Sequence, residues 1–376
     1  MRLAAIDLGT VTARMLIADV DVGEMGSTAA NNSSSNSSSS SYGVETRSGR
    51  YGRIRELERH MRITHLGEGL DETGMIGASA IAREVAACRD FNAAIEAIER
   101  RDNCSVDAVM AVATSAMRDA RNSDEVLDAL RGVGIDVEVI AGVREAELSF
   151  RGALSGFIGD DAFSDRSLLG VDVGGGSTEI ILGTINGVNK SDANQPRVLL
   201  EHSFNIGSRR VTDRFLYSDP PTSEELSRAR TWIRDEMAPC FKSFEIRPQI
   251  LIAVAGTAST TVSVRDAMVD YDPWKVHGSQ VTRDELNEVV NELAKEGIAQ
   301  RRSHVGLEPG RASVIVGGLV VLQTVLELTG LNSFIASETD ILQGILLDAA
   351  DSQRASLPLD FATDHLHSKG FLCSQK

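Results

Sequence analysis

Two segments of this chain each place an aspartate directly before a turn rich in glycine and hydroxyl side chains, with an apolar, strand-like run on either side. Glycine lets the backbone turn tightly and come close to a ligand, so that its N–H groups can point at anionic oxygens. The hydroxyls add donors, and the aspartate stands where a metal ion or a water molecule could be held. The repeat therefore predicts two related domains that grip a phosphate between them. The residues concerned are Asp7, Gly9, Thr10, Thr12 and Arg14 in the first segment, and Asp172, Gly174, Gly175, Gly176, Ser177, Thr178 and Glu179 in the second.

The second of these segments gives the stronger signal. Three consecutive glycines, Gly174 to Gly176, are conformationally costly, and an ordinary hairpin turn seldom needs them. We therefore favour a phosphate-binding loop over a plain turn. The segment lacks the Gly-Lys-Ser/Thr of a nucleotide P-loop, and it leads into a strand, whereas a dinucleotide fingerprint would open a helix.

A third segment, residues 113–122, carries a strand into a predicted helix that begins at Thr114 and Ser115 and ends near Arg131. Free N–H groups and the helix dipole favour an anion at such a helix start. Arg118 and Arg121 are three residues apart and share one face of the helix. The pattern is compatible with an anion site or with an ordinary capped surface helix, and taken alone it favours the surface helix.

Glu145 follows a predicted strand and a glycine turn, and it stands in the first turn of a helix. Ligands bind at this position in open α/β folds, and a carboxylate there could take a proton from an attacking water. A glutamate that only stabilises the helix N-terminus would give the same pattern. Glu145 is therefore a candidate general base, with the structural role as the alternative.

Two further turns place glycine and hydroxyl side chains at helix starts. Gly256 and Thr257 follow an apolar strand, and Gly207, Ser208 and Arg209 begin another helix with cations at hand. Both turns are candidate phosphate contacts. No Ser-His-Asp or Cys-His arrangement is visible, and the seven histidines show no metal spacing. The sequence therefore gives no sign of a side-chain nucleophile.

The composition is that of an ordinary globular protein. The 376 residues predict two domains, and the net charge of −16 argues against general nucleic-acid binding, so any bound anion must be held by a local site. No segment approaches the roughly 18 consecutive apolar residues of a membrane span, no secretory signal is apparent, and the four cysteines lack metal or redox spacing. These features predict a cytoplasmic protein with neither a membrane nor a nucleic-acid partner.

Alternating strand and helix patterns predict a mixed α/β fold with a partly parallel sheet, repeated in the second half of the chain. We place an N-terminal lobe at residues 1–141, a C-terminal lobe at 142–350 and a tail at 351–376. A Ser/Asn tract at 31–41 predicts a disordered insertion, at about 22–55, within the first lobe. Strand-like sequence resumes at 61–66.

The stretch around this insertion is locally basic. Charge runs are usually solvated, so a surface loop is favoured over a flexible arm that touches an anionic substrate. The arginines concerned are Arg47, Arg50, Arg53, Arg55, Arg59 and Arg62.

Taken together, these residues resemble the exopolyphosphatase/guanosine pentaphosphate phosphohydrolase (Ppx/GppA) family, within the superfamily that also holds actin, sugar kinases and heat-shock chaperone ATPases. Three motifs carry the resemblance: Ala-Thr-Ser-Ala-x-Arg-Asp-Ala-x-Asn at 113–122, Ile-x-Gly-x-x-Glu-Ala at 140–146 and Asp-x-Gly-Gly-Gly-Ser-Thr-Glu at 172–179. The resemblance runs from Leu3 to about Ala350. It implies duplicated ribonuclease H-like lobes with an active-site cleft between them, and Mg²⁺-dependent removal of a terminal phosphate as orthophosphate.

The resemblance also implies roles for individual residues. Glu145 matches the family's proposed general base, Asp172 and Glu179 match acidic residues that hold Mg²⁺ or orient the water, and Asp7 is expected near the metal. Arg14 and Arg118 are expected to clamp phosphate oxygens. The full expected phosphate-binding set is Gly9, Thr10, Thr12, Arg14, Thr114, Ser115, Arg118, Gly174, Gly175, Gly176, Ser177, Thr178, Gly207, Ser208, Arg209, Gly256 and Thr257.

The chain departs from the family pattern in three places. Val11 stands where the family usually has an asparagine, so one amide donor is lost from the first loop, and His65 stands where it usually has an arginine. The chain also stops near the expected end of the second lobe, so we expect it to lack the extra C-terminal helical domain of longer relatives.

The activity predicted from these residues is that of an exopolyphosphatase. Within the family, the alternative is a guanosine pentaphosphate (pppGpp) 5′-phosphohydrolase, because the loops are expected to contact only terminal phosphates. A non-catalytic regulator that binds (p)ppGpp or polyphosphate, and a sugar or acid kinase of the same fold, are the alternatives from other classes. Relatives often dimerise, which leaves a homodimer open.

Overall fold

The computed structural model describes residues 1–21, 53–157, 160, 162–184 and 197–354. Within these ranges the strands form two separate sheets. The first sheet has the order β3-β2-β1-β4-β5, and the second has the order β10-β11-β9-β6-β7-β8. The strands are β1 Arg2–Leu8, β2 Thr12–Val20, β3 Ile54–Ile63, β4 Ala108–Ala113, β5 Val137–Val139, β6 Ser167–Val173, β7 Thr178–Thr184, β8 Arg197–Phe204, β9 Ile250–Val254, β10 Gln280–Thr282 and β11 Ser333–Ala336.

The two sheets repeat one plan. In each, an antiparallel hairpin (β1-β2, β6-β7) is extended by a third antiparallel strand on one side and by a parallel strand on the other. The hairpin registers also correspond, since Asp7 pairs with Arg14 and Asp172 pairs with Glu179. The prediction of an α/β fold with duplicated ribonuclease H-like domains is confirmed.

The helices supply the crossovers that parallel strand pairs require. Two of them, α7 and α10, begin with a threonine capping box, which satisfies free N–H groups at the helix start. The helices are α1 Leu70–Thr73, α2 Ala78–Asp102, α3 Ser115–Asp119, α4 Ser123–Arg131, α5 Gly142–Ser155, α6 Ser208–Phe215, α7 Ser223–Lys242, α8 Ala255–Arg265, α9 Pro273–Val276, α10 Arg283–Lys295, α11 Ile298–Arg301, α12 Ile315–Thr329 and α13 Ile341–Arg354, with a 3₁₀ turn at Pro309–Arg311.

The single helix predicted from Thr114 to about Arg131 is in fact two helices, α3 and α4. The backbone at Ala120 is extended, and the N–H of Arg121 donates to the carbonyl of Gly74 rather than within a helix. The side chain of Asn122 bonds both the N–H and the carbonyl of Ile76. These contacts with the segment before α2 interrupt the helix.

Strand β3 corrects the prediction for the basic stretch. Residues 22–52, which include Arg47 and Arg50, lie outside the described residues. Ile54 to Ile63 form a strand at the edge of the first sheet, where the sequence predicted a loop followed by a strand at 61–66. The sequence pattern did not reveal the full length of β3, because an edge strand can carry charged residues and does not need the continuous apolar run seen in β1. Arg55 pairs with Asp19, and Arg62 lies 3.0 Å from Asp90. Both arginines are therefore held by carboxylates of their own lobe, and a contact with substrate stays a prediction.

Two helices, α5 and α13, lie between the sheets. Apolar residues of α13, including Leu342, Ile345 and Leu346, pack with Leu3 and Leu16 of the first sheet, while α5 packs against the second. The predicted boundaries gave α13 to the second lobe, and they also began the tail at 351, although α13 continues to Arg354. We define lobe 1 as the first sheet with α1–α4 and α13, and lobe 2 as the second sheet with α5–α12.

The contact between α5 and α13 depends on glycine. A Cβ atom on Gly152 would lie 1.6 Å from the carbonyl oxygen of Asp340, and one on Gly344 would lie 1.9 Å from that of Leu148. Only glycine lets the two helix backbones touch in this way. The backbones of the two helices that join the lobes are therefore in direct contact.

No described helix is long and apolar enough to cross a membrane.

Lobe 1 buries the carboxyl group of Glu84 in its core. Glu84 of α2 is fully buried, and the hydroxyl of Thr64, also buried, lies beside it and only partly offsets the effect of burial on its pKa. Burial raises the pKa of Glu84 to about 7, and the charge of nearby Asp7 acts in the same direction. The folded protein therefore holds a proton that the unfolded chain would release near pH 4.5.

The substitution Glu84→Gln should remove this pH dependence of stability. Because the folded state binds the proton more tightly, wild-type stability falls as pH rises from about 4.5 through about 7, by about 3 kcal/mol in total. The variant should gain this amount relative to wild type between pH 4 and pH 8.5, as measured by urea unfolding. Glu96→Gln, on the exposed face of the same helix, is the control. A difference between variant and wild type that stays constant with pH would contradict the prediction.

Candidate active site

The turns of the two hairpins meet face to face. We call residues 9–11 loop 1 and residues 174–177 loop 2. Each is closed by the same hydrogen bond, from Gly9 N–H to the Thr12 carbonyl and from Gly174 N–H to the Ser177 carbonyl, both 3.0 Å. A Cβ on Gly175 would lie 2.6 Å from a methyl carbon of Val11. The glycines predicted from the sequence thus allow the two loops to pack against each other.

A cleft lies beside this contact, and its space, with the open solvent at its mouth included, measures about 610 Å³. It is lined by both loops, by the strand ends that carry them, and by the first turns of helices from both lobes. Its lining includes Asp7, Gly9, Thr10, Thr12, Arg14, Thr114, Glu145, Asp172, Gly174, Gly175, Gly176, Ser177, Ser208, Gly256 and Thr257, all of which were predicted, together with Val11, Val173, Ala255, Arg311 and Ile341. The structure therefore brings most of the predicted residues to one cleft.

Neighbouring segments fix the loops in place. The N–H groups of Ser208 and Arg209, at the start of α6, donate to the carbonyls of Gly174 and Gly175 at 2.9 and 2.8 Å. In lobe 1 the N–H groups of Thr64 and His65 both donate to the carbonyl of Val11 at 3.0 Å. Since these bonds take the loop carbonyls, they orient the loops from behind.

Several predicted site residues lie outside the cleft lining. The Thr178 hydroxyl donates to the Ile206 carbonyl at 2.5 Å, and Gly207 packs against Gly175, so both support loop 2. Arg209 lies 2.9 Å from Asp213 at the outer rim. The buried Ser115 hydroxyl sits beside Gly176, with no hydrogen-bond partner in the described part of the chain. Their phosphate-binding roles stay predictions.

Glu145 lies in the first turn of α5, at the floor of the cleft. The Arg118 guanidinium donates to Glu145 Oε2 at 2.7 Å and to the Ile140 carbonyl at 3.0 Å, which fixes the carboxylate. Burial raises the pKa of Glu145 to about 7, although Arg118 opposes the shift. Such a carboxylate is suited to exchange a proton near neutral pH.

Two further carboxyls lie near Glu145. Asp172 accepts a hydrogen bond from the Ser149 hydroxyl at 2.8 Å, and burial raises its pKa to about 6. Glu179 lies behind the cleft, where it accepts from the Ser203 hydroxyl at 2.7 Å. Burial, and then the charge of Glu145, hold the pKa of Glu179 well above its usual value. Because like charges disfavour joint ionisation, each of these neighbouring carboxyls makes ionisation of the others less favourable.

Arg14 links loop 1 to the start of α13. Its guanidinium donates to Asp7 at 2.5 Å and to Asp340. Burial raises the pKa of Asp7, and Arg14 partly offsets this effect. Arg14 is therefore held at the cleft between two carboxylates. One of them, Asp340, is 326 positions away in the sequence.

Comparison with known proteins agrees with this geometry. The model of the Ppx/GppA phosphatase family matches residues 45–353. Exopolyphosphatase 2 of Mycobacterium tuberculosis is 35% identical over 361 residues, which cover 93% of this chain and 98% of the relative. A solved exopolyphosphatase-like protein superposes with a TM-score of 0.77 at 31% identity, covering 94% of this chain and 98% of that one. The Aquifex aeolicus family member gives 0.68 at 25% identity, with coverages of 94% and 98%.

The chain belongs to the Ppx/GppA phosphatase family.

Sequence reasoning missed two charged residues of this Ppx/GppA phosphatase. One is Asp340, which pairs with the cleft residue Arg14, and the other is Arg311, which lines the cleft directly. No carboxylate lies within salt-bridge distance of Arg311 among the described residues, and its hydrogen-bond acceptor is the sulfur of Met61 at 3.7 Å. Burial and the charge of Arg14 lower the pKa of Arg311 to about 10. A half-buried guanidinium with no carboxylate within salt-bridge distance among the described residues is poised to receive an anion.

The donor set of the cleft suits Mg²⁺ with few protein ligands. Mg²⁺ is usually bound by one or two carboxylates, with water and substrate phosphates completing its shell. Asp7 and Asp172, two of the three predicted ligands, both line the cleft, whereas Glu179 lies behind it. Within the described ranges, no three side chains of His, Cys, Asp or Glu group closely enough to hold a metal by themselves. The cleft therefore fits an ion shared with the substrate rather than a cage built from protein alone.

Proposed function

We propose that this Ppx/GppA phosphatase is an exopolyphosphatase, which hydrolyses the terminal phosphoanhydride of inorganic polyphosphate and releases orthophosphate. The observation that carries the proposal is a carboxylate of raised pKa, Glu145, at the floor of a cleft formed by two glycine-and-hydroxyl loops. The similarity to exopolyphosphatase 2 of M. tuberculosis supports polyphosphate as the substrate.

The chemistry follows from these side chains. The terminal phosphate would lie in the cleft beside loops 1 and 2, with backbone N–H groups, hydroxyls and Arg311 facing its oxygens. Glu145 takes a proton from a water as the water oxygen bonds to phosphorus, and the anhydride P–O bond breaks on the opposite side. The shortened polyphosphate leaves with the bridging oxygen. The N–H groups, hydroxyls and guanidinium stabilise the transition state, because they are already fixed where negative charge develops on the phosphate oxygens.

Mg²⁺ is part of the proposal. Asp7 and Asp172 would hold the ion, which would neutralise charge on the phosphate oxygens. The prediction that Glu179 is also a direct ligand receives no support from its position behind the cleft.

The proposal is tested by measuring orthophosphate release from short polyphosphate, long polyphosphate, pppGpp and ATP, with and without Mg²⁺. Release from polyphosphate at the highest kcat/KM supports the exopolyphosphatase. Preference for pppGpp would support the alternative hydrolase, and tight binding without release would support a regulator. ATP-dependent phosphorylation of an added acceptor would indicate a kinase.

The pH profile should depend on Arg118. Glu145 must be ionised to accept a proton, so kcat/KM should fall on the acid side of about pH 7. The substitution Arg118→Gln removes the cation that lowers the pKa of Glu145, and the acid limb should therefore move to higher pH by about 1 pH unit or more. Arg118→Lys keeps a positive charge beside Glu145, so its acid limb should lie between those of wild type and Arg118→Gln. Arg131→Gln, on the surface of lobe 1, should have the pH profile of wild type. An acid limb at the wild-type pH in Arg118→Gln would show that the pair does not set this pKa.

A further inference from the structure

A cluster of charges bridges the two lobes outside the catalytic cleft. Arginines of α6 in lobe 2 face carboxylates of lobe 1 around the rim where the loops meet. We call this group the rim cluster; it consists of Arg209, Arg210 and Arg214 from lobe 2 and Glu68, Asp71 and Asp119 from lobe 1.

Asp71 is the shared member of the rim cluster. Arg210 lies 2.6 Å from Asp71 Oδ1, and Arg214 donates to both oxygens of Asp71, at 2.5 and 2.8 Å. The side chains of Asp71 and Arg210 are only 20% and 12% exposed. Partly buried, multiply bonded pairs are screened less by solvent than ordinary surface ion pairs, and they form a network rather than isolated contacts.

Arg210 connects the rim cluster to loop 2. Its Nε donates to the carbonyl of Gly176 at 2.9 Å, and its terminal nitrogens reach Asp71 and Asp119 across the rim. A Cβ on Gly176 would lie 2.5 Å from the Ser115 hydroxyl and 2.8 Å from that of Thr10. One arginine therefore ties the lobe 2 loop to lobe 1 at the point where the loops already touch.

A second bridge between the lobes is the contact of α5 with α13. Both helices begin at the floor of the cleft, where Glu145 and Ile341 line it. Here backbone packing joins the lobes together with ion pairs, such as Arg118 with Glu145 and Arg144 with Asp348, whereas the rim cluster consists of charges alone. Charge pairs can be broken and remade without disturbing a core, whereas the packing of α5 on α13 cannot.

We propose that the rim cluster is a clasp that holds the lobes closed over loops 1 and 2 and must release before a phosphate chain can enter. Val11 and Gly175 are in contact, so no chain of phosphates can pass between the closed loops. The part of this proposal that concerns entry of the chain rests on the proposed function. The closure itself does not, because it follows from contacts within the protein.

The closure can be tested without substrate, by measuring the distance between spin labels on the two lobes. The labels are placed at Glu72→Cys and Glu224→Cys, both exposed, in a full-length chain in which Cys104, Cys240 and Cys373 are serine; Cys88 is buried and stays. Asp71→Asn should raise the ratio of open to closed molecules about tenfold, which is the effect of losing roughly 1.4 kcal/mol. Asp90→Asn, which breaks an ion pair inside lobe 1 with the same change of charge, is the matched control.

A second variant tests whether Asp71→Asn acts by breaking the rim cluster and not by impairing folding. Arg214→Gln should open the lobes in the same direction, and adding it to Asp71→Asn should change little, because Arg214 then has already lost that partner. Distance distributions that are identical in the parent chain and in both variants would overturn the clasp. Equal opening in Asp90→Asn would also overturn it, since the effect would then be one of net charge.

Entry of the chain is tested by the association rate of fluorescently labelled polyphosphate. This rate should rise several-fold in Asp71→Asn and stay unchanged in Asp90→Asn. An unchanged rate in an Asp71→Asn protein whose lobes have opened would overturn control of entry. If the chain releases orthophosphate from no substrate, the proposed function fails, yet the label distances still decide whether the clasp exists.

Discussion

Glu145→Gln is expected to lower the rate of orthophosphate release by roughly 10³-fold while leaving the fold intact. Glutamine has the shape of glutamate but cannot accept the proton of the attacking water. Glu145 is held at the cleft by Arg118 at 2.7 Å, and its raised pKa of about 7 suits proton transfer near neutrality. The measurement is steady-state release of orthophosphate from polyphosphate, with thermal unfolding as the check on folding.

The matched control for this substitution is Glu147→Gln. Glu147 lies two residues further along α5, half exposed and paired with Arg144 rather than with a cleft residue. Its loss should leave turnover close to wild type. Turnover near the wild-type rate in Glu145→Gln would mean that another group takes the proton, and the proposed mechanism would fall.

Gly256→Ala is expected to lower kcat/KM by about 10²-fold, although the new methyl group carries no charge and touches no catalytic carboxylate. The added Cβ would lie 1.6 Å from Nη1 of Arg311 and 2.0 Å from its Cζ, so the guanidinium must leave its place in the cleft. Removing a fixed, partly desolvated donor from a site of developing negative charge usually costs a factor of this size.

A double variant identifies the cause of that loss. If Gly256→Ala acts by displacing Arg311, then combining it with Arg311→Gln should cost little more than either change alone. Gly77→Ala provides the control, because a Cβ at Gly77 meets nothing within 4 Å. Additive losses in the double variant would show that Gly256 matters for another reason, such as a loop contact with the phosphate.

The local parts of the site could be predicted from the sequence. Loops 1 and 2 were found because an Asp-Gly-hydroxyl turn between two apolar strands leaves a pattern within a few residues, and the repeat of that pattern implied two facing lobes. Glu145 was found because it follows a strand and a glycine turn. In each case, the elements that position the residue are next to it in the chain.

The remaining parts could not be predicted, because they depend on contacts between distant segments. Asp340 meets Arg14 across 326 positions, and Arg311 reaches the cleft past Gly256 from a short 3₁₀ turn with no motif of its own. Strand β3 was missed because its charged residues pair with carboxylates from other segments, as Arg55 does with Asp19 of β2 and Arg62 with Asp90 of α2. The family comparison confirms the fold and the family, whereas the roles of Asp7, Glu179 and the phosphate contacts stay predictions.

The position of α13 bears on how the chain can fold as it is made. The described strands of the first sheet end at residue 139, but one of its apolar faces is covered by Leu342, Ile345 and Leu346, which come much later in the chain. During synthesis, Leu3 and Leu16 must therefore stay uncovered by these residues until α13 has been made. A nascent chain stalled before Ile341 should bind chaperones that recognise apolar surface, and a chain stalled well after Arg354 should bind them less, because α13 can then dock.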